Sequence, residues 1–478
     1  MKRIFLFISL ILVASVTVCA QSQDRWTILQ DGSIQWKPTR NLPHEDHVEM
    51  SGQMLSVVLR YGVDVQQRFH LNRSLVFPML RMKPNKTQNN LKQRFDVNIP
   101  AMVTVDDQTL LNEVVQDITF NGIMRVESDY GYIYRRKELK NAIHVTRILY
   151  PSINAPRYLE EYTFKNNSQN PITLRVPEWR VTYTTPEEAG VYGAYRIEAS
   201  LSKKGTFILK PGETLDFYAI YSGKKVSDDV TEKDNTAFSR ITIQSERAGR
   251  QALINQWWEN LVLDTPDPVL NRMFAFAKLR GAESIYRTKG GLMHGPGGEA
   301  YYAAVWANDQ AEYINPFFPF LGYDIGNESA LNAYRHFARY MNPEYNPIPS
   351  SIISEGVSFW HGAKDRGDGA MIAYGAARYA LARGDKEEAR ELWPLIEWCL
   401  EYCKRKLTPD GVVASNSDEL ENRFPAGDAN LCTSTLYYDA LRSAALLGRE
   451  IGVSGKQLAT YTAQAKALES AIENHFGY

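Results

Sequence analysis

AMIAYGAARYALARGD, residues 370–385, repeats small side chains along a helical face and then stops at Gly384-Asp385. Small residues let two helices approach closely, and a Gly followed by Asp ends one helix and caps the next. TSTLYYDALRSAALLG, residues 433–448, has the same texture. Worked outward from this pair, the helical period predicts helices near 250–261, 267–286, 303–321, 327–341, 368–384, 386–407, 430–451 and 455–475. Asp267-Pro268 opens the second of these and Asn327 caps the fourth. No strand is expected among them, so this part of the chain reads as a stack of αα-hairpins.

The period changes near residue 245. Before it, runs such as MLSVVLRYGV (54–63), AIHVTRILY (142–150) and FILKPGETLDFYAIYSG (207–223) alternate β-branched and aromatic residues with polar ones. Turn clusters such as NNSQNP (166–171) separate them. Regularly spaced strands without helical patterns between them predict a large antiparallel β-sandwich over 21–245, with a polar loop at Thr231–Asn235 near its end. Residues 246–266 are expected to form a linker helix and the approach to the helical part, which then runs over 267–478.

Residues 1–20 carry Lys2 and Arg3, an apolar run and then Val18-Cys19-Ala20. This is the pattern of a cleaved signal peptide and implies export, to a bacterial periplasm as the preferred compartment. No later segment is apolar enough to span a membrane. The formal net charge of −1 gives no electrostatic case for nucleic acid or an anionic membrane. Beyond the signal stand Cys399, Cys403 and Cys432, too few for a disulfide framework and without the partners of a metal site. They read as buried small hydrophobes. No cofactor is implied, and the oligomeric state is open.

Three loops carry chemistry. In GGLMHGPGGEAYYAAVWANDQAEYINPFFPFLGY (290–323) a glycine-rich approach enters a row of aromatics that holds Asp309. An aromatic face covers the C–H side of a sugar ring while a carboxylate takes its hydroxyls, so Glu299, Trp306 and Asp309 are candidate sugar-binding residues. The competing reading makes the aromatics a helix core face and Asp309 a helix-terminus charge. FWHGAKDRGDGA (359–370) places Trp360, His361, Asp365, Arg366 and Asp368 around flexing glycines. Alternating charges of this kind suit bidentate grips on vicinal diols, and Trp360, Asp365, Arg366 and Asp368 join the candidates. The competing reading is a solvated turn with an internal ion pair. SNSDELENRFPAGDANL (415–431) concentrates Asp418, Glu419, Glu421 and Arg423 between two helices. Adjacent acids can push each other's titration apart, as a general acid near neutral pH requires. The competing reading is an acidic surface loop with Asp428 as a cap.

A sandwich followed by helical hairpins resembles the six-hairpin glycosidases, the (α/α)₆ barrel superfamily that includes trehalase, the glucosidase of glycogen debranching, α-rhamnosidases and disaccharide phosphorylases. LDTPDPVLNRMFAFAK (263–278) is similar to the opening segment of that barrel. The resemblance implies a multidomain β + α protein that cleaves glycosidic bonds of oligo- or polysaccharides with inversion, using a pair of carboxyl groups. Trehalase-like members have Trp-Asp where this chain has Trp306-Ala307-Asn308-Asp309, two residues wider. They keep the general acid in the loop matched by 415–430, with an Arg four residues on. Glu419 and Arg423 reproduce that spacing and Ser417 resembles its flank. Asp418 stands where the family has an aromatic, which leaves the acid open among Asp418, Glu419 and Glu421; Glu419 is preferred, with Asp418 beside it. The resemblance puts the base in the last third of the barrel. A twelve-helix barrel counts more helices than these residues supply, so the expectation is that barrel and base continue beyond Tyr478. A phosphorylase of the same layout, or a non-catalytic glycan-binding protein, are the competing functions.

Overall fold

A computed structural model describes residues 25–38, 43–230, 240–358 and 363–477. Signal residues 1–20, the Thr231–Asn235 loop, Trp360 and His361 lie outside the described residues. Up to Lys225 the chain is almost entirely antiparallel strand, interrupted by a one-turn helix α1 (Ile99–Met102). A nine-stranded sheet takes its strands in the order 26–28, 34–36, 111–120, 124–134, 137–151, 157–166, 214–225, 195–201 and 180–184. A four-stranded meander, 44–51, 56–63, 69–81 and 90–95, lies against it. Leu59, Leu75 and Phe77 of the meander share one apolar core with Val126, Val145, Tyr162 and Phe217 of the larger sheet. Tyr162 stacks on Phe217 with ring centroids 5.5 Å apart. Alternation along each strand supplies this face.

One buried ion pair crosses that core. Arg73 Nε donates to Glu160 Oε1 at 2.5 Å and Nη2 to Oε2 at 3.1 Å, while the Tyr162 hydroxyl donates to the same carboxylate at 2.7 Å. Such a pair adds little net stability, but removing one partner would strand a buried charge at a cost of about 3–5 kcal/mol.

From Arg240 the chain turns helical: α2 (Arg240–Glu259), α3 (Pro268–Glu283), α4 (Asn315–Leu321), α5 (Asp324–Ala338), α6 (Asp368–Arg383), α7 (Lys386–Arg405), α8 (Leu431–Ile451) and α9 (Gly455–Phe476). α2 starts about ten residues before the periodicity predicted and lies over the sheet. Its Ile243, Ile254 and Trp257 share a cluster with Tyr150, Leu159 and Tyr218 from the sheet's outer face. The fully buried Arg250 of α2 donates to Glu283 of α3 (2.7 Å) and to the carbonyls of Gly122 and Ser51 (2.9 Å each). This clamp fixes the helices on the strands.

Capping explains most boundaries. Asp267 accepts Val269 N–H at 2.8 Å, and Asp385 accepts Glu387 and Glu388 N–H at 2.8 and 3.0 Å. Gly384 closes α6 at φ 68°, a left-handed conformation that favours glycine. Cys399 and Cys403 of α7 are buried and free, within the helical core. Among the described residues no helix is long and apolar enough to cross a membrane.

Three expectations are corrected. Short strands do enter the helical part: Ile285–Thr288 pairs with Gly291–His294, and Ala304–Trp306 with Ser351–Ile353. Residues 304–306 are therefore strand rather than the first turn of a helix. α5 begins at Asp324 with Tyr323 preceding it, so Asn327 lies inside the helix instead of capping it.

The small face of 370–384 has a specific use. A Cβ at Gly375 would stand 1.5 Å from the Ala311 carbonyl oxygen, which also accepts the Tyr334 hydroxyl at 3.0 Å. Gly375→Ala in a helix interior would ordinarily stabilise by about 0.5–1 kcal/mol. Here the clash wins, and a net destabilisation of about 1–3 kcal/mol is expected in denaturant melts of wild type and variant. An unchanged or higher midpoint would show that the two segments are not this close.

Candidate functional site

Gln310 decides how the aromatic segment enters the fold. Its fully buried amide accepts Trp306 N–H at 2.5 Å and donates to the His294 carbonyl at 2.8 Å. Ala307 N–H reaches the Ser350 carbonyl at 2.9 Å. Pinned at its start, the chain winds through an eight-residue π-helical turn, Ala307–Ile314, before α4. Asn315 N–H donates to the Gln310 carbonyl five residues back. A π turn inserted in a helix commonly marks a functional site.

That turn presents Asp309 and Tyr313 to a cavity of about 440 Å³, lined also by Phe274, Phe317, His294 and Lys278. Trp306, half-buried, packs edge-on against Tyr301 at 5.6 Å. Burial pushes the Asp309 carboxyl up; Arg366 opposes this, while Glu421 and Glu419 add to it. His294 is fully desolvated and pushed down to about 3, so it is neutral at physiological pH.

Arg366 is the hub of the second loop. Gly367, at φ 88°, turns the chain into α6, and Asp368 opens that helix. The Arg366 guanidinium, with no exposed surface, donates to Asp368 at 2.8 Å, to Ser350 Oγ at 3.1 Å and to Glu421 at 2.9 Å. Asn308 Oδ1 lies 3.5 Å from it. Asp368 is buried and pushed up by desolvation, with Arg366 opposing. Asp365 is engaged inside the protein as well. Its carboxylate accepts the Tyr402 hydroxyl and Gly367 N–H, and its carbonyl accepts the Asn416 and Ser417 N–H groups at 2.8 and 3.1 Å. The second loop is thereby tied to the third.

In the third loop the Glu419 carboxylate accepts the Tyr313 hydroxyl at 2.6 Å, which joins it to the π turn. Asp418 caps a local turn, accepting Leu420 N–H at 2.9 Å and, through its carbonyl, Glu421 N–H at 3.0 Å. Glu421 and Asn422 adopt φ of 59° and 62°, the turn that aims Glu421 at Arg366. Arg423 is exposed and lies 3.9 Å from Glu421. Asn430, rather than Asp428, caps α8, accepting Thr433 N–H at 2.8 Å and donating to the Ser417 carbonyl at 3.0 Å.

Asp309, Arg366, Glu419 and Glu421 therefore converge from three separated segments. Glu299 does not join them. It pairs with Arg60 at 2.5 Å and Arg94 at 2.9 Å, both on the four-stranded meander. Glu355 bonds Tyr192 and Ser354. Sequence reasoning missed Glu312, a buried carboxyl on the π turn pushed up to about 7 by desolvation first and by Glu419 next. Its spacing of three from Asp309 was the available signal. Tyr313 was read only as an aromatic wall.

No family model and no curated relative matches the chain. Solved structures do. A protein assigned as a kojibiose phosphorylase, from the human microbiome, superposes with TM-score 0.52 at 9% identity, over 93% of this chain and 70% of that one. A bacterial glucoamylase complexed with acarbose gives 0.46 at 10% identity, over 91% and 69%. A Klebsiella oxytoca rhamnosidase with rhamnose bound gives 0.36 at 10%, over 91% and 71%. These are six-hairpin glycosidase-superfamily proteins. At such identities the likeness is one of fold, and the resemblance read from the sequence stands at that level.

Glu299 yields a pH prediction. Burial raises its carboxyl, but hydrogen bonds from Arg60 and Arg94 prevail and hold it at about 2, against an ordinary 4.5. The stabilisation is present above the ordinary value and lost as pH falls toward 2. Glu299→Gln should cost about 2–3 kcal/mol at pH 7, and its Tm deficit should close between pH 4.5 and 2. A deficit independent of pH over that range refutes the assignment.

Proposed function

We propose that this protein is an exported glycoside hydrolase, with strands 26–225 as a β-sandwich domain and α3 to α9 as helices of an (α/α)₆ barrel. The observation that carries the reading is the hydrogen bond from Tyr313 to Glu419. It brings the proton-donor candidate of loop 415–430 onto the aromatic turn that holds Asp309, beside the buried Arg366. Chemistry at a glycosidic bond needs a carboxyl that can give a proton to the leaving oxygen and polar groups that hold the ring. Glu419 fills the first role. Asp309, next to an apolar wall of Phe274 and Phe317, suits the second, since charge-assisted bonds and apolar cover together recognise a pyranose. Arg366 holds Glu421 and steadies the loop on which Glu419 rides. Inversion is carried into this proposal from the resemblance read in the sequence, with the two carboxyls expected about 6.5–9.5 Å apart in the working site.

The test is hydrolysis of a panel of aryl glycosides and oligosaccharides. Glu419→Gln is expected to lower kcat about 10²–10⁴-fold on poor leaving groups. Full activity in Glu419→Gln, Asp418→Asn and Glu421→Gln alike would sink the hydrolase reading. Turnover that requires inorganic phosphate and releases sugar phosphate would mark a phosphorylase instead, and sugar binding without turnover a glycan-binding protein.

A further inference from the structure

His294 ends the strand Gly291–His294, and its ring lines the cavity of about 440 Å³ that Asp309 also lines. The residue is 9% exposed and lies edge-on to Phe318, with ring centroids 6.0 Å apart. Gln310 fixes where its proton sits. Trp306 N–H can only donate, and it meets Gln310 Oε1 at 2.5 Å. The His294 carbonyl can only accept, and it meets Gln310 Nε2 at 2.8 Å. Together these contacts settle which end of the amide is oxygen and which is nitrogen. The same Gln310 nitrogen stands 3.4 Å from His294 Nδ1. Facing an N–H donor, Nδ1 presents its lone pair, so the ring proton is on Nε2. A second proton would set N–H against N–H. Burial, and Arg280 after it, act in the same direction and push the group down to about 3.

Among the described residues no hydrogen bond engages His294 Nε2. A desolvated N–H without an acceptor is costly, and one in a cavity wall is open to a ligand. The ionisable groups that share the wall are Arg280 and Lys278 from α3 and Asp309 and Tyr313 from the π turn. Both cations are already engaged. Lys278 donates to the carbonyls of Asn260 and Leu261 at 2.6 and 3.0 Å, and Arg280 pairs with Glu49 and Glu283 at 2.8 and 3.3 Å.

We propose that His294 binds substrate as a neutral donor, giving its Nε2–H to a hydroxyl oxygen of an uncharged sugar, with Gln310 as the positioning residue that sets its tautomer. A sugar hydroxyl both accepts and donates. One hydroxyl takes the His294 hydrogen bond while a neighbour donates to the Asp309 carboxyl, and Phe274 and Phe317 cover the C–H face. The tautomer also decides the substrate class. Phosphate or an acidic sugar is best held by a charged donor, and Gln310 keeps His294 from becoming one. This deepens the hydrolase reading of the same cavity and rests on it for its purpose.

Imidazole ¹⁵N–¹H correlation spectra of ¹⁵N-histidine-labelled full-length protein report tautomer and charge, with His294 assigned by its loss in His294→Asn. Its pattern should be that of the Nε2–H tautomer and stay constant between pH 5 and 8, where an ordinary histidine titrates. Glucose, galactose, mannose, xylose and rhamnose are then added, with glucuronate and inorganic phosphate as charged probes. At least one neutral sugar should shift the His294 Nε2 resonance, and neither charged probe should shift it more. In His294→Asn the side-chain oxygen takes the place of Nδ1 and keeps the Gln310 contact, but the donor is gone. Affinity for that sugar should fall about 3–10-fold. His294→Gln, whose amide nitrogen reaches the place of Nε2, should recover part of it. An equal loss in both variants would make the role structural and overturn the assignment. An Nδ1–H tautomer, titration between pH 5 and 8, or no response to any of these sugars overturns the inference and leaves the hydrolase reading intact. A stronger response to phosphate or glucuronate overturns the neutral-sugar assignment. A sugar-dependent shift in a protein that cleaves no glycoside keeps this inference and removes the hydrolase reading.

Discussion

Arg366 carries a permanent positive charge in a place with no solvent-exposed surface. A buried guanidinium is tolerable only when its donors are met and its charge is balanced. Asp368 and Ser350 satisfy one side of the fork, and Glu421 the other. Because these partners come from the strand 351–353 region, the start of α6 and the loop 415–430, satisfying one cation registers three chain segments. The remaining acids of the site, Asp309 and Glu419, are then held around a compensated centre rather than scattered by mutual repulsion.

The second constraint is steric. Gly375 removes the side chain that would strike the Ala311 carbonyl, and so α6 lies directly on the π turn. Had the segment continued as an ordinary helix from 303, its acids would have followed a narrower spiral. The wider turn, anchored by Gln310 at one end and by α4 at the other, sets Tyr313 against Glu419 and leaves Glu312 under cover.

Much of this was legible beforehand. Alternation of β-branched and aromatic residues marked the sheet half, and the caps Asp267 and Asp385 marked helices correctly, because those signals are local. The strand pairs 285–288 with 291–294 and 304–306 with 351–353 were hidden, since runs of three or four residues look like helix when judged by apolar content alone. The acidic loops were found by residue type. Their division of labour was not: Asp365 bonds Tyr402 and Gly367, Glu299 pairs with arginines of the meander, and Glu312 carries an upward shift set by burial rather than by residue type.

By itself the sequence determined that strands precede helices, where most helices begin and stop, and which three loops concentrate acids beside aromatics. These are properties of period, capping and composition, which depend on neighbours a few residues away. Only the tertiary structure decided which acid is solvated, which is paired and which is starved of partners. Proton affinity is set by burial and by charges that arrive from distant parts of the chain, and Tyr313 and Glu419 meet across 106 residues.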